Sequence, residues 1–172
     1  MLFRSQFQGG PKFGSLSGIA PDAESQQWVG VIDDRDRTRV AWLAVDYGAG
    51  KGLNVTPVRM QELKPGPGIP SQVVTEADLE AIVALPDGTF VMSEEGHRVV
   101  GRSETWEPRL LHANREGTVT DLIDFPKAFR LSVDGKKGVR DNKGFEALAI
   151  TDRKSTRLNS SHVSESRMPS SA

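Results

Sequence analysis

No cysteine occurs in the chain. That excludes disulfides, thiol nucleophiles and cysteine-ligated zinc within these residues. Aromatic residues are sparse at 6%, with a single tyrosine, and no stretch approaches the roughly 20 apolar residues that span a bilayer. Residues 1–14 lack the apolar centre of a signal peptide. Charge of one sign is also missing: the formal net charge is -1, so no strong pull on nucleic acid or an anionic membrane is expected. What the chain does have is 17 glycines and 10 prolines in 172 residues, many in turn-like positions. This favours strands and turns over a helix bundle, and the length suits a single core.

From Asp152 the character changes. Seven serines fall in the last 21 residues, and no apolar period of 2 or 3.6 is present. Asp152 to His162 resembles one reading frame of a sequencing adapter, and the closing SRMPSSA resembles its continuation. Residues 152–172 are therefore expected to be a non-native or disordered tail that packs on nothing. Without them the balance is 18 basic against 21 acidic residues. Residues 1–12 read as a leader segment and 13–151 as one domain, incomplete at its C-terminal end.

A repeat organises that domain. Leu16-Ser-Gly-Ile-Ala20, Leu79-Glu-Ala-Ile-Val83 and Phe145-Glu-Ala-Leu-Ala149 resemble one another, with Ser17, Glu80 and Glu146 at equivalent places. The first two are followed by turn signals at Pro21-Asp22 and Pro86-Asp87-Gly88, then by second strands from Trp28 and Phe90. Residues 40–47 and 54–63 supply further strands in the first unit; 109–113 and 119–125 do so in the second. Four short antiparallel strands per unit is the pattern of a propeller blade. The expected fold is all-β and propeller-like: about two four-stranded antiparallel blades plus the first strand of a third. Lys64 to Pro70 is expected to be a surface loop.

Acidic residues recur at equivalent positions of the units. Glu80 and Glu146 follow the first large apolar residue, while Asp33-Asp34 and Glu94-Glu95 close second strands. Carboxylates converging about 5 Å apart at an effective dielectric near 20 repel by roughly 3 kcal/mol. A hard divalent cation with oxygen ligands, such as Ca²⁺, relieves that repulsion. The alternative is a solvated strand end or a carboxylate capping backbone N–H groups. Arg35, Arg98, Asn142 and Lys143 accompany the acids and suit a phosphate; ordinary surface salt-bridging is their plainer role. Gly48-Ala-Gly-Lys-Gly52 lacks the pattern of a phosphate-binding loop, and His97 and His112 lack metalloprotease spacing.

Taken together, the chain resembles the phytase-like domain family, whose description is "esterase-like activity of phytase". The segments that carry the resemblance are Phe13-Gly-Ser-Leu-Ser-Gly-Ile19, Val31-Ile-Asp-Asp-Arg35, Asp78-Leu-Glu-Ala-Ile82, Leu85-Pro-Asp-Gly88, Ser93-Glu-Glu-Gly-His-Arg98 and Asn142-Lys-Gly-Phe-Glu-Ala-Leu148. The resemblance implies a propeller-like fold, a phosphoester substrate, and export to the periplasm or outside the cell. The reading is a metal-assisted phosphoester hydrolase, with Asp33, Asp34, Glu94 and Glu95 catalytic, Glu80 and Glu146 on a divalent metal, and Arg35, Arg98, Asn142 and Lys143 on the substrate. The rival reading is a non-catalytic propeller that binds a ligand or partner protein. Ser17 takes the glutamate's place in the first unit, which cannot contribute an acid there.

Overall fold

The computed structural model describes residues 5–6, 12–32, 34, 37–48, 52–98, 105–132, 138–141, 143–151 and 155–159. A short N-terminal hairpin comes first, β1 (Ser5–Gln6) with β2 (Lys12–Phe13). Part of the expected leader is therefore paired, and Phe13 packs against the first blade. That blade is an antiparallel sheet in the order β3 (Leu16–Asp22), β4 (Gln27–Ile32), β5 (Arg39–Gly48) and β6 (Gly52–Glu62). β3 runs through Pro21-Asp22, where a turn was expected, and the chain reverses only over 23–26 with Gln26 at φ 55°. Asp22 is held in place there by long-range partners, described below.

The next segment departs from a plain loop. Lys64–Pro65 forms β7, and Ser71–Thr75 a short helix, α1. The second sheet then gathers β8 (Leu79–Ala84), β9 (Phe90–Glu94), β12 (Arg109–Ala113) and β13 (Thr118–Asp124), antiparallel throughout. β7 adds a parallel fifth strand on the outer edge of β13. Edge strands capture extended backbone through unpaired N–H and C=O groups, whatever its side chains. This explains how a Pro- and Gly-rich stretch enters a ladder. A two-stranded spur, β10 (His97–Arg98) with β11 (Thr105–Trp106), leaves the end of β9.

β14 (Ala147–Thr151) begins the third unit and pairs with β15 (Ser155–Asn159). The expectation that 152–172 carry no secondary structure is corrected at these five residues. Serine-rich composition argues against burial of side chains, but a ladder is built from backbone, and β14 offers a free edge.

The repeat is faithful down to its irregularities. In β3 the register with β4 slips between Leu16 and Gly18, and in β8 the register with β9 slips between Leu79 and Ala81. Each slip is a bulge, at Ser17 and Glu80, the two positions equated from sequence. The first strands β3 and β8 lie side by side, and β8 in turn neighbours β14. Gly18 allows the first approach: a Cβ there would sit 2.7 Å from the Glu80 carbonyl oxygen.

Between the two blades lies the main core, with Val29, Val31, Val40 and Trp42 from one side and Leu79, Ile82, Phe90, Met92 and Leu111 from the other. Alternation sends Val83, Val91 and Leu110 to the opposite face of the second blade, where Phe125 and Phe145 cover them. Trp42 meets Phe90 edge to face at 5.7 Å. At the far end, Asp22 of the first blade is buried and accepts hydrogen bonds from Ser25, Trp42 and both terminal nitrogens of Arg115. Among the described residues no helix is long and apolar enough to cross a membrane, and no sheet closes on itself.

Candidate metal centre

Where β8 starts and β9 ends, the chain brings carboxylates together. The Glu95 N–H donates to the Asp78 carbonyl oxygen at 3.0 Å, which extends the β8–β9 pairing by one step past both strands. The bulge at Glu80 then turns that side chain out of strict alternation. As a result Asp78, Glu80 and Glu95 each offer a carboxylate oxygen within 4.8 Å of the others. Asp78 and Glu95 are buried and Glu80 is half-buried.

The start of the third unit closes over this group. The Gly144 N–H donates to Glu95 Oε1 at 2.7 Å, and the Phe145 carbonyl accepts from Ser93 Oγ at 2.8 Å. Three carboxylates with hard oxygen donors at this spacing fit a divalent cation such as Ca²⁺ or Mg²⁺.

Glu94 lies beside the group and is almost fully buried. Burial pushes its carboxyl up to about 8, and the neighbouring charges of Asp78 and Glu95 push the same way. Arg109, directly across the ladder with Nε 3.8 Å from Glu94 Oε2, and the Gly96 N–H at 3.2 Å pull the other way without overcoming burial. Near neutral pH this carboxyl therefore holds its proton.

The structure brings some of the sequence's candidates together and leaves others apart. Glu80 and Glu95 meet, and Asp78 joins them; Glu146 stands one residue ahead of β14 and is not in the trio. Asp34 pairs with the buried Arg39 at 2.5 Å. Arg98 donates its guanidinium to the Ser132 carbonyl, and its backbone N–H meets Asp141 at 2.9 Å. Lys143 is exposed. Asp33, Arg35 and Asn142 lie outside the described residues.

Asp78 and Arg109 were missed as site residues. Asp78 lies in the quoted Asp78-Leu-Glu-Ala-Ile82 segment, immediately before the first strand, but the repeat gives no signal for it, since serine and glycine stand at its equivalents, Ser15 and Gly144. Arg109 opens a strand, and only the ladder places it opposite Glu94.

A family model described as Phytase-like, "Esterase-like activity of phytase", matches residues 11–161. No curated protein matches the chain. The match covers most of the sequence, and the chain belongs to the phytase-like family.

Proposed function

We propose, from that membership, that the domain serves metal-assisted hydrolysis of a small-molecule phosphoester. The observation that carries the reading is the convergence of Asp78, Glu80 and Glu95 within 4.8 Å at one end of the second blade. These three residues would hold a divalent cation, with calcium the first candidate. When bound, such an ion supplies Lewis-acid polarisation of a phosphoryl oxygen and lowers the pKa of water.

The other steps belong to the chain's own side chains. Glu94 keeps a proton near pH 7 because of its burial, and we assign it to protonating the departing alcohol oxygen. Gly144 positions Glu95 through its N–H. Lys143 and Arg35 are the residues left to neutralise phosphate charge, with Asn142 donating a hydrogen bond to a phosphate oxygen, since Arg98 is turned toward the Ser132 carbonyl. Glu146 is retained as a further ligand candidate from its place in the repeat. Export to the periplasm or beyond fits the family and a calcium site.

The test is turnover of a phosphomonoester and a phosphodiester by the protein, with calcium or magnesium and with chelator. Activity that needs the ion and falls at least a hundredfold in Glu95→Gln supports the reading. Absence of turnover on both esters in the presence of either ion removes it, and favours the non-catalytic, ligand-binding alternative.

A further inference from the structure

A second feature lies on the flank of the first blade. A cleft of about 410 Å³ opens between the start of β5, the end of β6 and the end of α1, lined by Arg37, Thr38, Glu62, Leu63 and Thr75. That volume is within the range of small-molecule sites. We infer that this cleft binds a hydroxylated organic anion. That inference does not rest on the hydrolase reading.

Thr38 carries the argument. It is 3% exposed, and its Oγ1 has no hydrogen-bond partner among the described residues. Its carbonyl is satisfied, because the Leu63 N–H donates to it at 2.9 Å. A buried hydroxyl without a partner destabilises a fold, and valine fills the same space without that penalty. A polar group kept against stability at the wall of a cleft is accounted for by a ligand that completes it.

The other lining residues define the ligand's chemistry. The Arg37 side chain is 65% exposed and its pairing with Glu62 is loose, 3.9 Å at a 57% exposed carboxylate. Such a pair contributes little and leaves the guanidinium ready for a better anion. Two residues on, Arg39 shows the opposite case, buried and committed to Asp34 at 2.5 Å and to the Arg37 carbonyl at 3.1 Å. Glu62 and the hydroxyls of Thr38 and Thr75 match hydroxyl groups on the ligand, and Leu63 gives an apolar wall.

The experiment is calorimetric titration of the full chain, in chelator so that no turnover intervenes, with glycerol 2-phosphate, glycerate, inorganic phosphate and glycerol. Binding of glycerol 2-phosphate or glycerate, stronger than that of phosphate or glycerol alone, is expected. Thr38→Val should weaken it about tenfold while leaving the melting temperature equal or higher. Thr38→Ser should restore it, and Arg37→Gln should weaken it against every anion. Equal affinity in wild type and Thr38→Val, or no binding of either hydroxylated anion by wild type, overturns the inference. Because the readout is binding without the ion, a protein that binds in this way but hydrolyses no ester refutes the hydrolase reading and leaves the cleft standing.

Discussion

Gly144 donates its backbone N–H to Glu95 Oε1 at 2.7 Å, and it comes so close that any side chain would collide. A Cβ there would lie 2.6 Å from both Glu95 Cγ and the Glu95 carbonyl oxygen. The third unit thus locks the trio's glutamate by backbone contact. Gly144→Ala is expected to destabilise the protein by about 1–3 kcal/mol and to weaken calcium binding. Denaturant melts and calcium titration of the variant measure both; an unchanged midpoint would contradict the close packing.

The cation reading makes a separate prediction. A ligand at a hundred times its dissociation constant stabilises the native state by about 2.7 kcal/mol. Calcium or magnesium should therefore raise the melting temperature of wild type. Asp78→Asn and Glu80→Gln should abolish that rise, because each removes a donor from the trio. If Glu146→Gln abolishes it and Glu80→Gln does not, the ligand set has been misassigned.

Glu94 should make the protein less stable as pH rises. Its folded carboxyl is pushed up to about 8 by burial, far above the unfolded value of 4.5. Below pH 4.5 both states are protonated and no penalty exists. Between there and about 8 the unfolded chain releases a proton that the folded one keeps, so stability falls throughout that window. Glu94→Gln removes this dependence and should be more stable than wild type at pH 9 in chelator, by a few kcal/mol. Melting temperatures of the pair from pH 5 to 9 check the sign.

Asp22 should behave in the opposite direction. Its hydrogen bonds from Arg115, at 3.1 and 2.7 Å, hold its carboxyl well below the usual carboxylate range. Its contribution is present above the unfolded pKa near 3.8 and is lost as pH falls below that value toward the folded one. Asp22→Asn breaks the link between the turns of the two blades and should cost about 3 kcal/mol at neutral pH. It should also flatten the acid limb of the stability profile, which thermal melts between pH 2 and 7 resolve.

Much of the blade pattern is visible in the sequence because its signals are local. The short apolar runs around 81–85 and 90–92 and the Pro86-Asp87-Gly88 turn between them place β8 and β9 within a residue or two of their observed bounds. The equivalence of Ser17 and Glu80 reappears as a shared bulge. Strand β7 and β15, the partner of β14, were not visible, because backbone edges recruit segments that side-chain patterns do not mark. Helix α1, only five residues long, gave no periodic signal to read.

For the site, the sequence by itself determined which carboxylates recur at strand ends, since a repeat copies positions along the chain. Only the tertiary structure decided which of them meet. Glu95 reaches Asp78 because two antiparallel strands return the chain to its starting end, with the Glu95 N–H on the Asp78 carbonyl. Asp34 is drawn instead to Arg39, and Asp22 to an arginine 93 residues away. Nothing along the chain marks those partners. Coulombic attraction and desolvation depend on distance and burial, which packing sets after the strands have formed.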